Sequence, residues 1–170
     1  MSDAIEIAEY NPHWPDQFAA LAEPVRRALG DGLVVSVGHV GSTAVPGLTA
    51  KPIIDLDVVI PSEADLPAAI AGLAALGYVH EGDLGIPGRE AFHWPPGTPR
   101  HHLYVCPQGS AELRRHVAFR DYLRTHPETA AEYAVLKRAL AARFQTDRDA
   151  YSRGKAGFVA AVLEKAQNAG

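Results

Sequence analysis

Two spacings of apolar residues divide the chain into a sheet-forming part and a helical part. Up to about residue 106, short apolar segments alternate with turns rich in glycine and proline. From Ser110 onward, apolar residues recur every three or four positions, which is typical of amphipathic helices. A chain of 170 residues has room for one domain with a proper core. We therefore predict a single domain over residues 1–170, with a core at about 5–106 and C-terminal helices at about 110–167.

The sheet-forming part is predicted to contain six strands and two helices. The strands are IEIAEY (5–10), LVVSVGHV (33–40), IIDLDVVI (53–60), YVHEG (78–82), REAFHW (89–94) and RHHLYVC (100–106). The helices are 14–29, with Pro24 as a possible kink, and 63–77, with Ser62 as N-cap and Gly77 at its end.

Three helices follow, the first at about 111–125, the second starting at Pro127 and the third capped by TDRD (146–149). This order of elements predicts an α+β domain with a mixed sheet, flanking helices and a helical C-terminal third.

Composition narrows the class of protein. Apolar residues make up 47% and charged residues 21%, ordinary values for a globular protein. No run of about 18 apolar residues occurs, and the first ten residues lack the pattern of a secretory signal. Cys106 is the only cysteine, so an intrachain disulfide and a CxxC zinc site are excluded. We expect a cytoplasmic protein that does not enter a membrane.

Charge is distributed unevenly along the chain. Residues 1–99 hold 4 Lys and Arg against 13 Asp and Glu, whereas residues 100–170 hold 12 against 7. An anionic ligand is therefore expected to contact the second part. Long nucleic acid is a weaker prediction, because the basic residues are spread over several helices and form no continuous tract.

Two aspartates lie inside an apolar strand. Side chains alternate along a strand, so Asp55 and Asp57 share one face while Ile54, Leu56 and Val58 share the other. Carboxylates this close repel each other unless a cation lies between them, and oxygen ligands suit Mg²⁺ or Mn²⁺. The alternative is a strand end whose aspartates face water. The apolar residues on both sides of the pair favour the metal site.

The loop before this strand has the composition of a phosphate-binding turn. Gly41 allows a ligand to approach the backbone closely, and Ser42 and Thr43 offer hydroxyl and N–H groups. Phosphoryl and nucleotidyl transfer need a metal that bridges phosphate oxygens and donors that hold the phosphates. The Gly-Ser turn followed by Asp-x-Asp supplies both.

These motifs carry a resemblance to known proteins. A Gly-Ser turn before an Asp-x-Asp strand resembles nucleotidyltransferases of the DNA polymerase beta type. More closely, HVGSTAVPGLTAKPIIDLDVVI (39–60), with FRDYLRTHP, EYAVLK and YSRGK, resembles the GrpB family, whose fold is similar to theirs. The resemblance covers about residues 10 to 165. It implies that Gly41 and Ser42 hold phosphate and that Asp55 and Asp57 bind the metal.

The superfamily usually has a third carboxylate on a later strand, as general base and metal ligand. The matching strand here is RHHLYV, which offers His102, or REAFHW, which offers Glu90. His102 is a candidate base because an imidazole has a near-neutral pKa. Glu90 is the candidate third metal ligand. His93, His101 and His102 lie on neighbouring predicted strands, but no HxH or HExxH spacing favours zinc.

Four basic residues are candidates for binding the ligand's phosphates. Arg120 and Lys155 fall within the apolar arcs of their helices, and Lys137 borders its arc. Lys51 precedes the aspartate strand, at a position where the GrpB pattern also has a lysine. For Lys137 the alternative is a side chain extended to solvent, and for Arg120 it is a pair with a sheet carboxylate.

The leading hypothesis is a nucleotidyltransferase-like enzyme that binds a nucleoside triphosphate or phosphorylated metabolite with Mg²⁺ or Mn²⁺. It would transfer a nucleotidyl group to a small acceptor. The alternative is a nucleotide- or coenzyme-binding module without catalysis, and the missing third acid supports it. An RNA-binding accessory protein is the third hypothesis, and the net charge of −4 disfavours it.

Overall fold

A five-stranded mixed sheet forms the centre of the computed structural model, which describes residues 4–169. The strands are β1 (Ser36–Val40), β2 (Ile54–Ile60), β3 (Val79–Gly82), β4 (Glu90–His93) and β5 (His101–Pro107). Their order across the sheet is β1-β2-β5-β4-β3. The central pair β2 and β5 is parallel, and the other neighbours are antiparallel.

The helices of this part of the chain are α1 (Trp14–Leu29), α2 (Leu66–Ala75), α3 (Ala111–Thr125), α4 (Pro127–Arg143) and α5 (Arg148–Ala169). Short 3₁₀ helices span Ser42–Ala44 and Glu63–Asp65. The predicted α+β class with a helical C-terminal third is confirmed. No helix in the described part of the chain is both long enough and apolar enough to cross a bilayer.

The main core lies between one face of the sheet and helices α1 and α2. Leu56 and Val58 of β2 and Leu103 of β5 are buried there with Trp14 and Leu73 from the two helices. These strand residues are the partners that alternate with the aspartates, so burying them directs Asp55 and Asp57 to the opposite face.

A second core connects the helical third to the loop between β1 and β2. Val45 and Leu48 of that loop pack against Leu123 of α3 and Tyr133 of α4. Helices α3 to α5 are thereby held over the loop, on the side of the sheet that carries the aspartates.

The predicted first strand is wrong. Residues 5–10 form only one isolated bridge, in which Ala8 and Ala50 exchange two backbone hydrogen bonds of 2.8 and 3.0 Å. The pairing stops there because Pro52, two residues on, has no N–H to continue the ladder. The helix predicted at 14–29 has those bounds, with Pro24 inside it.

Candidate active site

The parallel pairing of β2 and β5 sets the row of polar side chains at the centre of the site. Asp55 is paired with His102, and Asp57 is paired with Tyr104. Directly paired residues project from the same face of a sheet, so all four side chains share the face that α3 and α5 approach. His101 alternates to the core face, where its Nε2 and the Tyr78 hydroxyl are 2.7 Å apart.

Asp57 is a buried carboxylate with one satisfied and one unsatisfied oxygen. It is 1% exposed, and its Oδ2 accepts a hydrogen bond of 2.7 Å from Nδ1 of His116 on α3. Its Oδ1 is buried and has no hydrogen-bond partner among residues 4–169. Burial raises the pKa of Asp57, and the His116 hydrogen bond opposes that shift.

The partner of Asp57, His116, has a raised pKa. Burial lowers its pKa, but the hydrogen bond to Asp57 and the charges of Asp57, Glu112 and Asp55 outweigh burial and raise the pKa overall. Its Nε2 lies 3.5 Å from a carboxylate oxygen of Glu112. The pair therefore resembles a buried ion pair that leaves Asp57 Oδ1 without a partner.

The Asp55 carboxylate is hydrogen-bonded to a histidine and lies in the space that a side chain at Gly41 would fill. Its Oδ1 accepts a hydrogen bond of 2.7 Å from Nδ1 of His102. Its Oδ2 lies where a Cβ on Gly41 would be, so any larger residue at position 41 would collide with this carboxylate. Gly41 also has a φ of 76° and a ψ of −173°, a backbone conformation that essentially only glycine adopts.

The Gly-Ser turn is a short 3₁₀ helix whose two hydroxyls are already engaged. The Tyr133 hydroxyl shares a hydrogen bond with Ser42. The Thr43 Oγ1 is 2.8 Å from Nε2 of His39. Burial lowers the pKa of His39 to about 4, so this imidazole is neutral and leaves the turn uncharged.

Arg120 and Arg124 of α3 fix this turn from outside the site. Arg120 donates to the carbonyl oxygen of His39 at 3.1 Å, and Arg124 donates to that of Ala44 at 2.9 Å. The structure thus does not bring Arg120 to the phosphate-binding group as predicted. Its guanidinium binds a strand carbonyl and Asp121 instead.

Three lysines converge on a cavity of about 240 Å³ that Asp55 and His102 also border. The Nζ atoms of Lys51 and Lys155 lie 4.9 and 4.5 Å from the centroid of the same ring, Tyr151. Lys137 is 2% exposed, and its Nζ donates to the carbonyl oxygen of Thr49 at 2.7 Å. The alternative in which Lys137 extends to solvent is therefore wrong. We call this space the lysine cavity.

Helix packing explains how the lysines meet. Lys137 is on α4, and Lys155 is on α5 beside Gly154. A Cβ at position 154 would overlap the Leu140 side chain of α4. The missing side chain thus allows the two helices to approach closely where the lysines lie.

Burial and mutual repulsion both disfavour the charged form of these lysines. Burial, followed by the charges of Lys155 and Lys51, lowers the pKa of Lys137 to about 7. Burial and Lys51 lower the pKa of Lys155 to about 8. Asp55 opposes the shift at all three lysines, Lys51 included. An anion in the cavity would relieve the remaining repulsion.

Glu90 is not brought to this group. It is paired with Val105, which faces the core under α1 and α2. The Glu90 side chain therefore projects from the face of the sheet opposite to that of Asp55. Its carboxylate lies 3.3 Å from Nε2 of His80. The prediction of Glu90 as the third metal ligand is therefore wrong, because strand register decides which face of the sheet a side chain occupies.

The remaining carboxylates fit a metal that is bound together with its ligand. Among residues 4–169, no group of three or more His, Cys, Asp or Glu side chains is arranged to hold a metal ion. Mg²⁺, however, commonly takes one or two carboxylates and completes its shell with water and phosphate oxygens. Asp55 and the unpartnered Oδ1 of Asp57 suit that mode of binding.

Two neighbours of the aspartates had not been predicted as site residues. His116 falls in the apolar arc of its helix, a signal in the sequence, but nothing in the sequence connects it with Asp57. Arg89 lies in the turn before β4, and its guanidinium carbon lies 4.3 Å from the centroid of the Tyr104 ring.

Known proteins share both this sequence and this fold. The model of the GrpB protein family matches residues 4–165. A UPF0157 protein of Pseudomonas aeruginosa is 44% identical over 96% of this chain and 68% of its own length. The UPF0157 protein YqkA of Bacillus subtilis is 36% identical over 96% of this chain, which spans only 47% of YqkA.

Solved structures agree. The crystal structure of the conserved protein GrpB from Enterococcus faecalis matches with a TM-score of 0.85 and 33% identity, covering 95% of this chain and 96% of that one. The Cid1 poly(U) polymerase bound to MgGTP matches with a TM-score of 0.52 at 13% identity, over 76% of this chain and 42% of Cid1. The second likeness shows a nucleotidyltransferase-like fold. This chain belongs to the GrpB family.

Proposed function

We propose that this protein binds a nucleoside triphosphate, or another phosphorylated metabolite, with Mg²⁺ or Mn²⁺ and transfers a nucleotidyl group to a small acceptor. The observation that carries the proposal is the lysine cavity, where three cations lie close together beside the carboxylate of Asp55. Cations that lower one another's pKa are stabilised by a polyanion, and a phosphate chain is the common biological one.

The residues divide the work by charge. Lys51, Lys137 and Lys155 would neutralise the phosphates, and the backbone of the Gly-Ser turn would offer further donors. Asp55 and Asp57 would hold the metal, which when bound neutralises phosphate charge and favours departure of pyrophosphate. His102 and His116 orient the two carboxylates through their Nδ1 hydrogen bonds.

The fold supports the proposal in general terms. The Cid1 poly(U) polymerase, which has a similar fold, has been solved with MgGTP bound. Phosphoryl-transfer sites rely mainly on positioning and electrostatic stabilisation, which the turn, the two carboxylates and the three lysines would supply.

A thermal-shift panel tests the binding step. Nucleotides, coenzyme A precursors and sugar phosphates would each be measured with and without Mg²⁺ or Mn²⁺. We expect stabilisation by one class that requires the metal, is lost in Asp55→Asn and Asp57→Asn, and is weakened in Lys155→Met. Lys165→Met is the matched control, because Lys165 is an exposed lysine of the same helix. Unchanged ligand stabilisation in both aspartate variants would refute the assignment.

A second function, ligand binding without catalysis, is favoured by one specific observation. The β5 residue paired with Asp55 is His102, and β5 carries no carboxylate, whereas nucleotidyltransferases usually have a third acid on a later strand. We propose a sensor of a phosphorylated metabolite as the alternative. Pyrophosphate release in a screen of acceptors supports the enzyme, whereas metal-dependent stabilisation with no product under any condition supports the sensor.

A further inference from the structure

A second cavity, of about 300 Å³, shares Asp55 with the lysine cavity but is otherwise lined by different residues. Its walls come from α3, α5, the strand pair around Tyr104 and the turn before β4. Neither the phosphate-binding turn hydroxyls nor any of the three lysines lines it. We call it the arginine cavity, because Arg89 and Arg115 are among its lining residues.

One wall of the arginine cavity is apolar. Phe119 of α3 lies across from Val159 and Leu163, which are one turn apart on α5. All three are only half-buried although they face inward. Apolar side chains left partly exposed in a concave site are the usual lining of a small-molecule pocket.

The polar wall holds a cation with an unsatisfied donor. The Arg89 guanidinium lies over the Tyr104 ring, and its Nε is buried with no hydrogen-bond partner among residues 4–169. An arginine stays charged at any physiological pH, so a buried donor without an acceptor favours binding of an anion.

The other charged groups around the cavity are already paired. The Glu112 carboxylate lies 3.4 Å from Nε of Arg115 and 3.5 Å from Nε2 of His116. Asp55 is bound by His102. Arg115 is 58% exposed and lies at the rim. Arg89 therefore remains as the inward-facing cation available to a ligand.

We propose that the arginine cavity binds a small amphipathic anion, with its apolar part on Phe119, Val159 and Leu163 and its carboxylate or phosphate on Arg89. Because the cavity reaches Asp55, this ligand is the acceptor of the transfer, a role that rests on the function proposed above. A hydroxyl oxygen of the ligand, separate from the anionic group on Arg89, would bond to the α-phosphorus while the bond from that phosphorus to the bridging oxygen breaks. Pyrophosphate leaves with the electron pair, and the acceptor proton passes to water.

Binding of three simple probes tests the site without nucleotide or metal. Phenyl phosphate and phenylacetate represent the two anion sources, and benzyl alcohol is the neutral analogue. Dissociation constants would be measured by ligand-observed NMR. We expect at least one anion to bind at least about fivefold tighter than benzyl alcohol, since a charge-assisted hydrogen bond exceeds a neutral one. Which anion binds more tightly identifies the carboxylate or the phosphate as the preferred group.

Variants assign that affinity to a cavity. Arg89→Gln should remove the preference for the anion while benzyl alcohol binds as before, and Arg89→Lys should restore part of it. Lys155→Met, in the lysine cavity, should leave phenylacetate and benzyl alcohol unaffected, and only phenyl phosphate, which the three lysines also attract, should lose part of its affinity. Val159→Trp fills the space beside the apolar wall and should abolish binding of all three probes. If Arg89→Gln does not fold, this variant tests whether the probes bind in the arginine cavity.

Three results would overturn the proposal: equal affinity for the anions and benzyl alcohol, loss of phenylacetate binding in Lys155→Met but not in Arg89→Gln, or unchanged probe binding in Val159→Trp. Tighter binding of a short oligouridylate that depends on Arg89 would also overturn it, in favour of an RNA acceptor. Anion binding in a protein that binds no nucleotide would support the site and contradict only the function proposed above.

Discussion

Replacing Lys137 by methionine should change stability and ligand binding in opposite directions. Methionine has nearly the length and volume of lysine but carries no charge and no donor. Lys137 is 2% exposed, and burial with two neighbouring lysines lowers its pKa to about 7 from the usual 10.5 of a lysine. The charged form is therefore far less stable in the folded protein than in the unfolded chain.

The size of the effect follows from this shift. At pH 7 the depressed pKa costs the folded state roughly 4 kcal/mol, because each pKa unit corresponds to about 1.4 kcal/mol. Lys137→Met removes this cost, but it also leaves the Thr49 carbonyl without its donor, which costs about 1–3 kcal/mol. We expect Lys137→Met to be about 1–3 kcal/mol more stable than the wild type at pH 7. Its affinity for a triphosphate should fall about 10- to 100-fold.

The pH dependence isolates the lysine. Above pH 7 the folded protein has released the proton that the unfolded chain keeps up to about pH 10, so the unfolded state binds more protons and wild-type stability rises with pH. From pH 7 to pH 9 this single group should add about 2 kcal/mol, which Lys137→Met should lack. Urea unfolding at pH 6, 7, 8 and 9 measures both quantities, with Lys165→Met as the control.

One result would refute the reasoning. If Lys137→Met is less stable than the wild type at pH 7 and shows the same rise toward pH 9, Lys137 is not a buried cation under repulsion. The lysine cavity would then lose the physical argument for anion binding. A variant that is more stable but binds triphosphate as tightly as the wild type would separate Lys137 from the ligand.

Three further expectations concern the same site. Gly41→Ala should destabilise the fold by about 1–3 kcal/mol and abolish metal-dependent ligand binding, because its Cβ would displace the Asp55 carboxylate. Gly47→Ala, at a φ of 84° with open space around it, should retain binding when both variants are titrated with ligand in a calorimeter. Arg120→Gln should lower the unfolding free energy by about 1 kcal/mol while affinity for the phosphate ligand changes less than in Lys155→Met, since Arg120 binds a backbone carbonyl. In the Lys137→Met background, triphosphate affinity should fall about tenfold between pH 7 and pH 9, because Lys155, with a pKa of about 8, loses its proton. A flat pH profile, or a profile that Lys155→Met leaves unchanged, would contradict the last expectation.

Local pattern was sufficient for all elements except the first predicted strand, and for the shared face of the two aspartates. The alternation in IIDLDVVI predicted that Asp55 and Asp57 share a face, and the register of β2 confirms it. The period of the apolar residues predicted the helices, because burying one face of each helix is what holds it in place. The strand at 5–10 failed because its pairing partner ends at Pro52, a contact between distant segments.

The tertiary structure decided which charged side chains meet. The sequence put Arg120 within the apolar arc of its helix and Lys137 at the border of its arc. Only packing shows that Arg120 ends on the His39 carbonyl while Lys137 reaches the lysine cavity. Glu90 and His102 were equal candidates by composition, and strand register placed them on opposite faces. His116 and Arg89 lie near the aspartates although both are distant from them in the sequence. The spacing of apolar residues reflects contacts between residues that are close in the sequence, and so it determines the helices and strands. The charges that surround a site depend on how those elements pack together, which no local pattern encodes.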